Sequence, residues 1–154
     1  SILFGLALQK CKECSKDLDV QNLDKKQLID IKDKKILLAE DNEISQKLIK
    51  MVFKKYNIEI DIAQDGLIAV EKAKENNYDL ILMDIQMPNM DGIKATKIIR
   101  KIKYYQKIPI IALTAHAMTE AQDKILNSGM DDFISKPIDK QKFEEKIISK
   151  LVKN

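Results

Sequence analysis

Four short apolar runs each break off at residues able to do chemistry. Ile36-Leu-Leu-Ala39 runs into Glu40 and Asp41, Leu80-Ile-Leu-Met83 into Asp84, Ile110-Ile-Ala-Leu113 into Thr114, and Phe133-Ile-Ser135 into Lys136. If these runs are strands of one sheet, three carboxylates, a hydroxyl and an ammonium meet at its rim. Like charges a few ångströms apart repel strongly, so such a cluster needs a cation, and an all-oxygen donor set suits Mg²⁺. A carboxylate held beside Mg²⁺ and a lysine can attack a phosphoryl group, while metal and ammonium take up developing charge. Asp84 fits the nucleophile, because its run is the central strand, flanked by the acidic pair and the cation. Glu40 and Asp41 fit the metal, Asp41 by direct ligation and Glu40 through water. Thr114 would supply a hydrogen bond and Lys136 a second positive charge.

Taken singly, each residue has an ordinary explanation. An Asp after a strand forms turns or caps helices, and Glu40-Asp41 has that option too. A Lys before a Pro is commonly solvated, and a Thr at a strand end commonly bonds the backbone. The chemical reading rests on all of them ending strands of the same sheet.

The elements that would position them follow one rhythm. Lys35–Ala39 reads as a strand, and Ile44–Tyr56 as a helix with Ile44, Leu48, Met51, Val52 and Tyr56 on one face. Glu59–Ala63 is a second strand, and Asp65 caps a helix over Gly66–Asn76. Asp79–Asp84 is the third strand and Gly92–Lys103 the third helix. Ile108–Thr114 and Thr119–Ser128 form the fourth pair, with Gly129 as C-cap. Asp132–Ser135 is the fifth strand and Asp139–Val152 the last helix. Continuous apolar strands alternating with helices predict a parallel sheet covered on both faces, which binds ligands beyond its strands' carboxyl ends.

Composition sets outer limits. The chain has 154 residues, 45% hydrophobic and 33% charged, which suits a globular domain with an appendage. A net charge of +3 with Lys spread throughout is no nucleic-acid footprint. No stretch reaches the roughly 18 apolar residues that span a membrane, so no direct membrane contact is expected. Residues 1–33 read as a linker or N-terminal extension, part helical, and residues 34–154 as the regular domain. Without an initiator Met, the chain reads as a piece of something longer. Cys11 and Cys14 form a lone C-x-x-C with neither the further ligands of a zinc site nor a redox context, and read as reduced thiols of a cytoplasmic protein.

The sequence around these residues resembles a known family. Lys35-Ile-Leu-Leu-Ala-Glu-Asp-Asn42, Asp79-Leu-Ile-Leu-Met-Asp-Ile-Gln-Met-Pro-Asn-Met-Asp-Gly92, Ile108-Pro-Ile-Ile-Ala-Leu-Thr-Ala-His-Ala117 and Gly129-Met-Asp-Asp-Phe-Ile-Ser-Lys-Pro137 are similar, in order, to the receiver domains of response regulators, especially those fused to hybrid histidine kinases. The resemblance implies a flavodoxin-like, doubly wound (βα)5 sheet in strand order 2-1-3-4-5. It implies phosphoryl transfer to Asp84 from a histidine kinase or a histidine phosphotransfer domain. The implied Mg²⁺ ligands are Asp41, Asp84 and the backbone carbonyl of Gln86, with Glu40 acting through water. Thr114 would bond the phosphoryl group and shift on activation, Lys136 would pair with it, and the Lys136–Pro137 peptide would be cis. Phe133 takes the place of a switch aromatic, which otherwise is a core Phe. Small Ala115 leaves the site open, and Gln86 and His116 stand where side chains tune hydrolysis, although His116 also fits a plain exposed loop residue.

The implied product is a cytoplasmic signalling switch, not an enzyme with turnover, tethered to the inner membrane if its parent is a membrane kinase. A partner would read the last helices and strand, and a homodimer is an allowed assembly. A stand-alone single-domain response regulator is the nearest alternative. An aspartate-nucleophile phosphohydrolase is a rival, but it would place a second Asp where Gln86 stands. An unphosphorylated interaction module is a third, against which the complete site argues.

Overall fold

The computed structural model describes residues 34–115 and 119–153. The expected N-terminal extension with Cys11 and Cys14, and His116, lie outside the described residues. Five strands, β1 (Lys35–Ala39), β2 (Glu59–Ala63), β3 (Leu80–Asp84), β4 (Ile110–Thr114) and β5 (Asp132–Ser135), form one parallel sheet in the order 2-1-3-4-5. The helices are α1 (Glu43–Phe53), α2 (Gly66–Glu75), α3 (Gly92–Arg100), α4 (Thr119–Asn127) and α5 (Lys140–Lys153).

Side chains alternate across the sheet because successive Cβ atoms point to opposite faces. Ile36, Leu38, Leu80, Leu82, Ile111 and Leu113 face α1 and α5, where Phe53 and Phe143 meet with ring centroids 5.7 Å apart. Leu37, Ala39, Ile81, Met83, Ile110 and Ala112 face the other way, against Ala69, Val70, Ala95, Ile99 and Ile125 of α2, α3 and α4. β3 and β4 are buried at every position, so truncating Leu82 to Ala would cost about 2–5 kcal/mol.

One expected face is corrected. Ile44 is 79% exposed and Met51 59%, while α1 buries Ile49, Val52 and Phe53, and Tyr56 follows them inward. The segment is apolar at 44, 48, 49, 51, 52, 53 and 56, so two overlapping stripes satisfy the helical period. The stripe that meets Phe143 and Ile147 is the one that packs.

Several helices also stop sooner than expected. α1 tightens into a 3-10 turn at Lys54–Tyr56, closed by Asn57 with φ 56°. α3 ends at Arg100, and Lys103–Gln106 form a separate 3-10 turn. β4 begins at Ile110, because Pro109 has no N–H for the ladder. Its carbonyl still accepts from Ile81 N at 3.0 Å. The cap at Asp65 and the helix-ending Gly129, with φ 106°, stand as expected.

Two polar clusters lock loops to the frame. Arg100 donates to the carbonyls of Tyr105, Gly129 (2.7 Å) and Ile108 (2.7 Å), and to Asp131 Oδ2 (2.7 Å). That same Asp131 oxygen accepts from Ile110 N at 2.9 Å. On β2, Asp61 accepts from Lys72 Nζ at 2.7 Å and from the Tyr78 hydroxyl at 2.5 Å. No helix among the described residues is long and apolar enough to cross a membrane.

Candidate functional site

Strand register brings the polar residues level. Ala39 pairs with Met83, so Glu40 stands beside Asp84. Leu113 pairs with Asp84, and Thr114 with Ser135. The carboxyl ends of β1, β3, β4 and β5 therefore meet at one rim. A cleft of about 470 Å³ opens there, lined by Glu40, Asp41, Asp84, Gln86, Thr114, Ala115 and Lys136.

Asp84 is only 5% exposed and Glu40 is wholly buried, whereas Asp41 is exposed at the mouth. Oxygens of these three carboxylates lie within 4.8 Å of one another. Lys136 bridges two of them, with Nζ 2.9 Å from Glu40 Oε2 and 3.0 Å from Asp84 Oδ2. Burial pushes the Glu40 carboxyl up to about 7, and neighbouring Asp84 adds to the rise against the pull of Lys136. Burial draws the Lys136 ammonium the other way, but its bonds to Glu40 and Asp84 outweigh this and hold its pKa above the ordinary value.

Local sequence explains the placement. The Lys136–Pro137 peptide is cis, as expected, and Lys136 N donates to Thr114 O at 2.8 Å. Gln86 N donates to the other Asp84 oxygen, Oδ1, at 3.2 Å. Gly92 N donates to Ile85 O at 3.0 Å, and a Cβ on Gly92 would lie 2.1 Å from the Asp84 carbonyl oxygen. Only glycine lets α3 start this close beneath Asp84.

Sequence reasoning passed over the residues that hold Glu40. Asn42 N donates to Glu40 Oε1 at 3.1 Å while the Asn42 side chain caps α1. Gln46 Nε2 donates to the Glu40 carbonyl at 2.6 Å. The cap was the readable signal, since Asn directly before an amphipathic run is a helix start. Lys124, on α4, also lines the cleft. Phe133 lies away from the cleft, half-buried on β5, with Lys146 Nζ 5.8 Å above its ring.

The donor set fits a small hard cation. Three clustered carboxylates outnumber the ammonium that bridges two of them, and every available ligand atom among the acidic residues is oxygen.

Comparison with known proteins agrees with this architecture. Residues 36–148 match the family model described as the response regulator receiver domain. Hybrid signal transduction histidine kinase I of Dictyostelium discoideum is 46% identical over 126 residues, covering 77% of this chain and 7% of the kinase. The receiver domain of sensor histidine kinase PA1611 from Pseudomonas aeruginosa, solved with a magnesium ion coordinated in its active site cleft, is 34% identical with a TM-score of 0.72. That match covers 79% of this chain and 99% of that one. The receiver domain of Ssk1 from Saccharomyces cerevisiae, solved with the histidine phosphotransfer protein Ypd1, belongs to a structure matched at 31% identity and a TM-score of 0.71. That match covers 76% of this chain and 88% of the matched one. The chain spans 7% to 12% of the length of the first curated relatives it matches.

Proposed function

This chain belongs to the response regulator receiver domain family, and from that premise we propose that Asp84 accepts a phosphoryl group in a two-component phosphorelay. The observation that carries the reading is the Lys136 bridge between Glu40 and Asp84, with Asp41 beside it at the mouth of the cleft. An Asp84 carboxylate oxygen attacks the phosphorus of a phosphohistidine. The new P–O bond forms as the P–N bond breaks, and the imidazole leaves with the electron pair. Asp41, Asp84 and the Gln86 carbonyl would hold Mg²⁺, with Glu40 acting through water, and the bound ion would supply charge neutralisation for the transferred oxygens. Lys136 exchanges its bond to Asp84 for one to the phosphoryl group, and Thr114 donates to another of its oxygens.

The donor is a histidine kinase or a histidine phosphotransfer domain. The hybrid kinase relative and the receiver solved with a phosphotransfer protein support both sources. Residues 34–154 form the receiver unit of a larger hybrid kinase, with residues 1–33 as its tether, and the unit works on the cytoplasmic side. Phosphorylation favours one of two loop arrangements through Thr114 and Phe133, and a partner, or a second copy of the chain, reads the α4, β5 and α5 surface. Gln86 in place of a second Asp supports slow autodephosphorylation over hydrolase turnover.

The test is direct. With Mg²⁺ and a small phosphodonor, the wild type should gain one phosphoryl group at Asp84 by mass spectrometry, and beryllofluoride should give an adduct there. Equal labelling of Asp84→Asn would overturn the assignment.

A further inference from the structure

The loop leaving Asp84 carries a strained turn built without glycine. Met90 N donates to Pro88 O at 2.7 Å, closing a γ-turn around Asn89, whose φ is 66°. A γ-turn with positive φ at its centre is rare and strained, and positive φ is uncommon for any residue with a Cβ. Its support comes from another loop. Asn89 Nδ2 donates to Asp65 Oδ2 at 2.7 Å. Asp65 is 8% exposed, and its other oxygen accepts from Ile68 N at 2.8 Å as the N-cap of α2. The bonds from Ile68 and Asn89 hold its carboxyl below the ordinary range. The backbones touch at the same place: Gly66 N donates to Met90 O at 3.2 Å, and a Cβ on Gly66 would lie 2.3 Å from that oxygen.

Two longer bonds tie the other end of the loop. Ile85 N donates to Leu113 O at 3.1 Å, and Gln86 N to Asp84 Oδ1 at 3.2 Å. Neither Asp65 nor Asn89 lines the cleft, so neither can touch the reacting atoms. From these contacts we infer that Asp65 and Asn89 are positioning residues for phosphoryl acceptance. Their bond sets the path of residues 85–91, and thereby the direction in which Gln86 presents its main chain to Asp84. The inference rests on the receiver reading, since the Gln86 carbonyl acquires a role only through the metal. A strained turn without that bond would relax and carry Gln86 with it.

The test uses the full chain, magnesium chloride titrated by calorimetry, and the beryllofluoride adduct. Asn89→Asp sets a second carboxylate against Asp65 and should weaken Mg²⁺ binding about tenfold, the scale seen when a group supporting a metal ligand is lost. Its melting midpoint should stay within a few degrees of wild type. The double variant Asp65→Asn/Asn89→Asp restores donor and acceptor with exchanged roles, and Asn caps a helix as well as Asp does. It should bind Mg²⁺ within about twofold of wild type. If Asn89→Asp fails to fold, Asn89→Gly, which tolerates the positive φ but lacks the amide, should show the weaker binding instead. Wild-type affinity in the single variant, or no recovery in the double, overturns the positioning role alone. A wild type that takes neither Mg²⁺ nor beryllofluoride overturns the receiver reading, and the positioning role with it.

Discussion

Lys136 reaches past β4 to set its ammonium 3.0 Å from Asp84 Oδ2, two strands from its own position. The same nitrogen lies 2.9 Å from Glu40 Oε2 at the end of β1, so one side chain ties three strand ends together. Replacing it with Met leaves two buried carboxylates without their ammonium. Lys136→Met should lose about 1–3 kcal/mol in metal-free urea unfolding, and added Mg²⁺ should return part of that loss. A variant as stable as wild type without metal would contradict the bridge.

Asp84→Asn should act in the opposite sense on stability. Asp84 sits among like charges and helps raise the pKa of Glu40, so removing its charge relieves repulsion. The metal-free variant should gain about 1 kcal/mol, in keeping with sites held for activity at the expense of stability, and should lose the beryllofluoride adduct. Calorimetric melting checks the first effect, and a lower midpoint would refute it.

Acid sensitivity should trace in part to Asp61. Burial raises its pKa, but the bonds from Lys72 and Tyr78 outweigh this and hold it below the ordinary 3.8. A depressed carboxylate lends stability above its unfolded pKa and loses it as pH falls through the folded value. Asp61→Asn should therefore be less stable than wild type at pH 7, with the gap closing between about pH 5 and pH 2. Urea unfolding across that range gives the comparison, and a pH-independent gap would exclude the carboxylate as its source.

Arg100 should not tolerate its conservative replacement. Its planar fork serves three carbonyls and Asp131 at once, a geometry that a lysine ammonium cannot reproduce. Arg100→Lys should cost about 2 kcal/mol and speed amide exchange over residues 103–110 and 129–131. Unchanged exchange there would mean that the loops hold without it.

Much of this architecture was legible in the sequence. β1, β3 and β4 declared themselves because both of their faces are buried, so they read as apolar runs. Glu40, Asp84 and Thr114 end such runs and Lys136 follows the half-buried β5, which is why the four could be placed together from the sequence. The inward stripe of α1 was not legible, since seven apolar positions give a helix two plausible inner faces and only contact with Phe143 decides. The Arg100 hub and the Asp65–Asn89 bond left no trace either. Asp65 stands 24 positions from Asn89, and Arg100 stands 31 from Asp131, and a polar pair across such a gap has no periodicity. Asn42 and Gln46 fell between these cases, as their helix-start position was visible and their grip on Glu40 was not.

The place of β3 in the middle of the sheet has a further consequence. Ladders to β1 and β4 hold it on both sides, and every one of its side chains is buried. Its amides should exchange only when the whole domain unfolds, the slowest class of exchange a protein offers. Asp84, the proposed phosphoacceptor, thus sits on the stiffest rail of the fold. A phosphoryl group there would find little local flexing of the strand to absorb it, so the new charge would do its mechanical work at a distance, on whatever surrounds the rim and yields first.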